Sequence, residues 1–461
     1  MGYIIPVLQE RYKTSKIIVF HIESELHYQV IDHNSNPGDY SAAILYSKIP
    51  ALYGVEAMEN TEVQKFLETN LQEINIDRVR IIEWRPSLNY FKEAYVRLLS
   101  LVVNYIKQTD AVNRTTAVFG KRWFNNFFKN LGMVNRTLLY KQSSIPIIIT
   151  GSGPSLEQTL PLIKKAQQNC LIIAASSSIM ALAAGGITAD IIIATDGGSW
   201  ALKHFYPCYR NAVPKALAVN LIAALPSQSA NTPKLLLNDS SFWQTIIFHE
   251  LALPSIIIPQ RGTVTATAIE LAIQLTKSNI YLAGIDSSVN DIRTHAKPYS
   301  FDSLFLDKAD RFNPFYSISF TRSSLIRKGG SLDIYAAWFK NQLEFWPKRI
   351  YSICASNIFA NGSGLLDSDI IKGQAGIDKQ NKYFKTVNNS ENLPGFRERG
   401  IAALLNAVKN KEYSQNIKQE LIPLLLPDKN ALREKTNNRI ISDHELETAI
   451  KEIAFAKVLN G

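Results

Sequence analysis

From Ile145 onward, apolar runs of four to seven residues alternate with stretches whose apolar positions recur at helical spacing. Strands without polar alternation have no face for solvent, so the pattern is that of a parallel sheet covered on both sides. The runs predict strands at Ile147–Thr150, Leu171–Ala175, Asp190–Thr195, Lys215–Val219, Lys234–Leu237, Ser255–Ile258 and Ile280–Ala283. Helical spacing falls between several of them, at Leu156–Gln168, Ile179–Ala184, Phe242–Phe248 and Val264–Leu275. Residues 145 to about 290 are therefore expected to form a doubly wound, Rossmann-like α/β core.

The flanks read differently. Short strand-like runs at 16–21, 41–46 and 78–84, with a helix over 62–73, suggest an N-terminal α+β domain. From Ser87 to about Leu131 the spacing is helical, with one long helix and a second expected after a break near Asp110 to Asn113. Between Leu101 and Lys141 seven Lys and Arg face one acidic residue, either a basic face for an anionic partner or an ordinary solvated helix face. Beyond the core, 286–330 is loop-like, 332–345 helical and 349–354 strand-like, and the remainder is polar and helix-prone. The expected division is 1–140, 141–365 for the Rossmann-like domain, and 366–461 for a mostly helical C-terminal region.

Composition narrows the classes. A chain of 461 residues suggests about three domains, and 46% hydrophobic with 20% charged residues excludes wholesale disorder. The longest uncharged stretch worth testing as a membrane span, Ala166 to Ala189, holds Gln167, Gln168, Asn169, three serines and two glycines, which suits a strand, turn and short helix instead. The N-terminal MGYIIPVLQERYK has neither a basic lead-in nor a small-residue cleavage site, so a cytoplasmic location is expected. Three cysteines, none in a Cys-x-x-Cys pair, make neither a disulfide framework nor a structural zinc site. The net charge of +10 fits an anionic partner or simply a basic surface.

Candidate chemistry gathers at strand ends. Gly151-Ser152-Gly153-Pro154-Ser155 follows the first core strand and opens a helix. Two glycines and the free N–H groups of a helix start would accept a phosphate, with Ser155 as N-cap and Gln158 completing a capping box. The same residues also make a plain capped turn. Ser176 and Ser177 end the second strand and Asp196 the third, where a ribose hydroxyl or a metal is often held, or where a turn simply meets solvent. Gly262 and Thr263 open a helix of small residues, either a second anion site or a close-packing surface. His295 lies nine residues beyond Asp286 in a loop leaving a strand end, as a general base or as a solvated histidine. There is no nucleophile elbow, no His-Glu-x-x-His and no clustered metal-ligand motif.

Taken in order, GSGPSLEQTLPLIKKAQQNCLIIAASSSIMALAAGGITADIIIATD, RGTVTATAIELAIQLTKSNIYLAGIDSS and the histidine that follows resemble the motility-associated factor (Maf) proteins. These are flagellin glycosyltransferases whose central domain is shared with a pterin pyrophosphokinase family. SLDIYAAWFKNQLEFWP and SNIFANGSG resemble the end of that domain, so the likeness spans about 90–365. The Gly-x-Gly-Pro-Ser and Leu-x-Gly-Ile-Asp elements also resemble bacterial sialyltransferases that use CMP-sugars.

The resemblance implies transfer of a nonulosonic acid, pseudaminic or legionaminic acid, from its CMP-activated form to Ser or Thr hydroxyls of flagellin. It implies that Gly151, Ser152, Gly153, Pro154, Ser155, Ser176, Ser177, Asp196, Gly262 and Thr263 bind the donor nucleotide, and that the catalytic residues are His295, as base, and Asp286, which orders the site and assists the cationic transition state. It implies no metal or further cofactor, no nucleic acid and no membrane span. Two departures stand out: Ser287 and Ser288 occupy the place of a sialyltransferase aromatic, and 321–331 carries Arg322, Arg327 and Lys328 in place of a late histidine. Arg327 or Lys328 is then a stabiliser of the leaving nucleotide. The alternatives are an ATP- and Mg-dependent pterin pyrophosphokinase, with Asp196 and Asp286 as metal ligands, and a nucleotide-binding protein without catalysis.

Overall fold

The structure, a computed structural model, describes residues 4–11, 17–21, 43–46, 60–71, 79–83, 85–211, 214–259, 261–329, 331–372, 383–389, 395–430 and 441–456. The chain forms two units, one of residues 1–118 with 427–440, the other of 119–426 with 441–461.

In the first unit β1 (Ile18–His21) and β2 (Ala43–Tyr46) form within the early apolar runs and pair in parallel. Helices α1 (Ile4–Arg11), α2 (Asn60–Leu71) and α3 (Arg85–Tyr90) follow the same order along the chain. Val63, Leu67 and Leu71 recur on one face of α2 and are buried with Ala94 and Leu98 of α4 (Lys92–Leu131). The strand expected at 78–84 is not formed over 79–83, where Ile81 and Ile82 lie exposed and no neighbouring strand is present among the described residues. Helix α4 also corrects the expected break: it runs unbroken through Asp110–Asn113, where the Arg114–Asp110 pair at 2.9 Å supports the turn and no proline interrupts it. Its last residues belong to the second unit.

The second unit is built on one sheet: β3 (Arg136–Tyr140), β4 (Ile147–Thr150), β5 (Leu171–Ala175), β6 (Ile191–Ala194), β7 (Leu217–Asn220), β8 (Lys234–Asn238), β9 (Ser255–Ile257), β10 (Ile280–Ala283), β11 (Ile350–Ser352) and β12 (Phe384–Asn388). The order is 11-10-4-5-6-7-8-3-12, with β9 also pairing β8. All pairings are parallel except β12 with β3. Thus every strand predicted over 145–290 is present, while β3 and the antiparallel edge β12 were not expected.

Alternate residues of each strand feed opposite cores. Ile147 and Ile149 of β4 pack with α9 (Val264–Leu275) and with Phe339 of α12 (Ser331–Gln342). Ile148 packs the other way, with Leu156 and Ile163 of α5 (Leu156–Ala166), Leu182 of α6 (Ile179–Ala184) and Leu366 of α13 (Ser363–Lys372). Further along that side lie Phe205 of α7 (Leu202–Asn211), Ile247 of α8 (Phe242–Glu250) and the end of α4. The C-terminal helices α14 (Phe396–Lys409), α15 (Ser414–Leu425) and α16 (Asp443–Phe455) share this core through Leu404, Leu421 and Ile450. Gly120 in α4 permits the closeness, since a Cβ there would sit 2.6 Å from the Leu424 carbonyl oxygen.

The stretch read as loop over 286–330 instead contains α10 (Asp302–Leu306) and α11 (Phe315–Gly329). The inner face of α11 mixes Arg322 and Ser323 with Phe315 and Ile326, which blurs its apolar period. No described helix is long and apolar enough to cross a membrane.

Candidate functional site

The sheet order places the switch of direction between β4 and β10, because β5 lies on one side of β4 and β10 on the other. In an open parallel sheet the crevice outside the carboxyl ends at this point is where ligands bind. The Gly-Ser-Gly loop leaves β4 here, and Gly284-Ile285-Asp286 leaves β10 beside it.

The two loops are pinched together. Gly151 N–H donates to the Ala283 carbonyl and Gly153 N–H to the Gly284 carbonyl, both at 2.8 Å. A Cβ on Gly151 would fall on the Gly284 carbonyl oxygen, and one on Gly153 would lie 2.6 Å from the Asp286 carboxylate. Gly284 has φ 64°, which an L side chain rarely adopts. The glycines are thus required by the neighbouring loop itself.

This geometry corrects the capping expectation. Ser155 is helical and caps nothing with its side chain. Its N–H donates to Asp286 at 2.8 Å, and its hydroxyl donates to the other oxygen of the same carboxylate. Leu156, Glu157 and Gln158 give their N–H groups to the Gly153, Pro154 and Ser155 carbonyls. The start of α5 therefore has its donors occupied and a carboxylate already beside it, and no capping box forms. Asp286 faces into the loop and fixes it.

Ser152 and Ser177 meet across the strand ends at 2.9 Å, while Ser176 is buried and Ser178 ties back to Thr150 at 2.9 Å. Asp196 is exposed at the rim, where its carboxylate takes the Gly198 N–H at 2.8 Å. Gly262 and Thr263 are not brought against the Gly-Ser-Gly loop by any hydrogen bond among the described residues. Thr263 caps its own helix by accepting the Ala266 N–H at 3.0 Å. The small residues Ala266, Ala268 and Ala272 are buried under the sheet, so close packing accounts for them.

The His295 loop docks on the Gly-Ser-Gly loop through Ala296 N–H to the Ser152 carbonyl at 2.8 Å. Glu157 secures it further, taking the Lys297 N–H at 2.9 Å and pairing with Arg293 at 3.0 Å. His295 stacks on Tyr299 at 4.1 Å, with Nδ1 3.0 Å from the Thr294 hydroxyl. His204 of α7 approaches the same tyrosine at 5.6 Å, and its Nδ1 is 3.1 Å from the Ser300 hydroxyl. The Arg322 guanidinium lies over the rings of Tyr299, at 5.4 Å, and Phe305, at 4.6 Å. Arg327 reaches the Asp291 carbonyl and is exposed, as is Lys328; of the basic residues in this stretch, Arg322 is the one at the histidines.

Sequence reasoning missed His204, Tyr299 and this role for Arg322. His204 sits in a helix that was not predicted, and only the fold brings α7 to the loop beyond β10.

Both imidazoles are held neutral. Burial, then the Arg322, His204 and Lys297 charges, lower the His295 pKa to about 3. Burial lowers that of His204 to about 4, with Asp196 pulling up and Arg322 down. A histidine in the unfolded chain titrates near ~6.5, so below that pH the unfolded state binds protons that the fold refuses. Stability should accordingly fall as pH drops from 6.5 towards 4, by on the order of a few kcal/mol per histidine. Melting curves of the wild type and a His204→Asn/His295→Asn variant should diverge less at pH 7 than at pH 4.5, where the variant gains relative stability; parallel curves would contradict the burial.

Residues 121–291 match the family model described as 6-hydroxymethylpterin diphosphokinase MptE-like. A Treponema pallidum (strain Nichols) protein, described as uncharacterized, is 25% identical over 311 residues, 67% of each chain. The structure of a Maf glycosyltransferase from Magnetospirillum magneticum AMB-1 superposes with a TM-score of 0.52 at 11% identity, covering 98% of this chain and 72% of that one. At that identity the likeness is one of fold. The chain is thus similar in its central region to the MptE-like family and in fold to a Maf glycosyltransferase, the pairing to which its motifs point.

Proposed function

We propose that the chain is a glycosyltransferase that moves a nonulosonic acid, pseudaminic or legionaminic acid, from its CMP-activated form to a Ser or Thr hydroxyl of flagellin. The observation that carries this reading is a neutral histidine, His295, fixed beside the switch-point crevice by a loop docked on Ser152. The shared fold with a Maf glycosyltransferase supports it.

In this reading His295 takes the proton of the acceptor hydroxyl while that oxygen bonds to the anomeric carbon. The bond from that carbon to the phosphate oxygen breaks, and CMP departs with the electron pair. Ser152, Ser176 and Ser177 meet the ribose or phosphate in this reading, with Asp196 at the rim. Gly151, Gly153, Pro154 and Ser155 shape the loop, and Asp286 is a positioning residue that acts through Ser155.

The MptE-like match favours a second reading, diphosphate transfer from ATP to a hydroxymethylpterin. One pair of assays separates the two. With CMP-activated nonulosonic acid and flagellin, the transferase releases CMP and adds the sugar's mass to the acceptor. AMP release from ATP, Mg2+ and 6-hydroxymethylpterin, without any sugar transfer, would establish the other.

A further inference from the structure

We propose that Arg322 and His204, gathered with His295 around Tyr299, form a phosphate site, and that a proton enters it together with the anion. This rests on reading the chain as a nucleotide-sugar transferase, and names where the donor's phosphate is held.

The start of α5 holds no free donors for an anion. With its N–H groups given to turn carbonyls and to Asp286, the expected phosphate cradle is occupied from within. A positively charged group is available nearby. Arg322 is held over two aromatic faces, which favour a cation without neutralising it. Among the described residues it forms no ion pair with a carboxylate. The two acids whose charges act on the cluster are already engaged, Asp302 by Lys297 and by the Tyr299 N–H at 2.9 Å, and Asp196 by the Gly198 N–H.

The groups facing the histidines come from three elements. Arg322 comes from α11; Tyr299, Ser300 and Lys297 from the docked loop; and Asp196 from the end of β6. Arg322 faces both rings, Lys297 opposes a proton on His295, and Asp196 alone favours one on His204. An arriving phosphate adds negative charge where cations now oppose protonation, so the His204 imidazole, which Asp196 already favours as a cation, gains a proton as the anion binds, while His295, opposed also by Lys297, stays neutral. The protonated ring then donates a hydrogen bond to the phosphate oxygen, a stronger bond than a neutral donor makes.

The test uses the full-length protein with carbon-13-labelled histidine. The ring resonances of His204 and His295 are followed from pH 3 to pH 8, alone and with CMP, cytidine or inorganic phosphate. The His204 midpoint should rise above about pH 6 with CMP and with phosphate, the His295 midpoint should stay below it, and neither should move with cytidine. Arg322→Met should weaken CMP binding tenfold or more and leave cytidine binding unchanged. Midpoints unmoved by bound CMP, or an Arg322→Met protein that binds CMP like the wild type, would overturn the site, as would no binding of any phosphate between pH 6 and pH 8. If CMP fails to bind while inorganic phosphate shifts a histidine and needs Arg322, the phosphate site stands and the CMP-sugar reading falls.

Discussion

Replacing His295 by Asn should reduce kcat for sugar transfer by about 10²–10⁴-fold, the usual contribution of a positioned acid–base group. CMP affinity should change by less than tenfold. The asymmetry follows from geometry. His295 is fixed by stacking on Tyr299 and by the Thr294 hydroxyl, so one ring nitrogen is committed and the other is left for chemistry. Asn keeps a polar group near Thr294 but cannot take a proton from an alcohol. The variant should also be more stable than the wild type at pH 4.5, because it no longer forces a buried ring to stay neutral. Activity within tenfold of wild type, in a protein showing that acid stabilisation, would remove His295 from the chemistry while leaving its burial intact.

The sequence made the sheet legible because its strands are uninterrupted apolar runs, and a run such as Ile147–Thr150 has few other ways to be buried. The strand Arg136–Tyr140 was harder to see. It follows a helix that ends at Leu131, carries exposed Leu139 and Tyr140, and is fixed by long-range pairing with β12 and β8. Lys234 shows the same limit: a lysine at a strand start gives no hint that it is fully buried, donating to the Ser229 carbonyl at 2.7 Å and the Met133 carbonyl at 2.8 Å. For the site, motifs located the strand ends and His295, but the motif supplies residue types and not their hydrogen-bond partners. Ser155 could be a cap or a partner of Asp286 on sequence grounds, and the approach of β10 to β4 decides for the latter. His204 and Arg322 lie far apart along the chain, so no local pattern could have joined them.

Gly151→Val and Gly284→Val should each destabilise the protein by more than ~3 kcal/mol, in the range where only clashes, strain or lost networks reach. A large domain moves by roughly 2–4 °C per kcal/mol, so melting should fall by about 6 °C or more. The reason is contact between two backbones. A Cβ on Gly284 would lie 2.8 Å from the Leu156 Cβ and 2.9 Å from the Gly151 carbonyl oxygen, and neither can swing away like a long side chain. Relief requires β4 and β10 to part at their carboxyl ends, which also separates Ser155 from Asp286 and lifts the Ser152 carbonyl from Ala296. Binding of any crevice ligand should therefore be lost together with stability. Gly262 supplies the contrast: its φ of 73° is also left-handed, yet nothing lies within 4 Å of an added Cβ. Gly262→Ala should cost only the backbone term, about 1–2 kcal/mol. If Gly284→Val costs no more than Gly262→Ala, backbone conformation alone would explain Gly284; a large cost confined to Gly151 and Gly284 identifies the pinch between the loops as what builds the crevice.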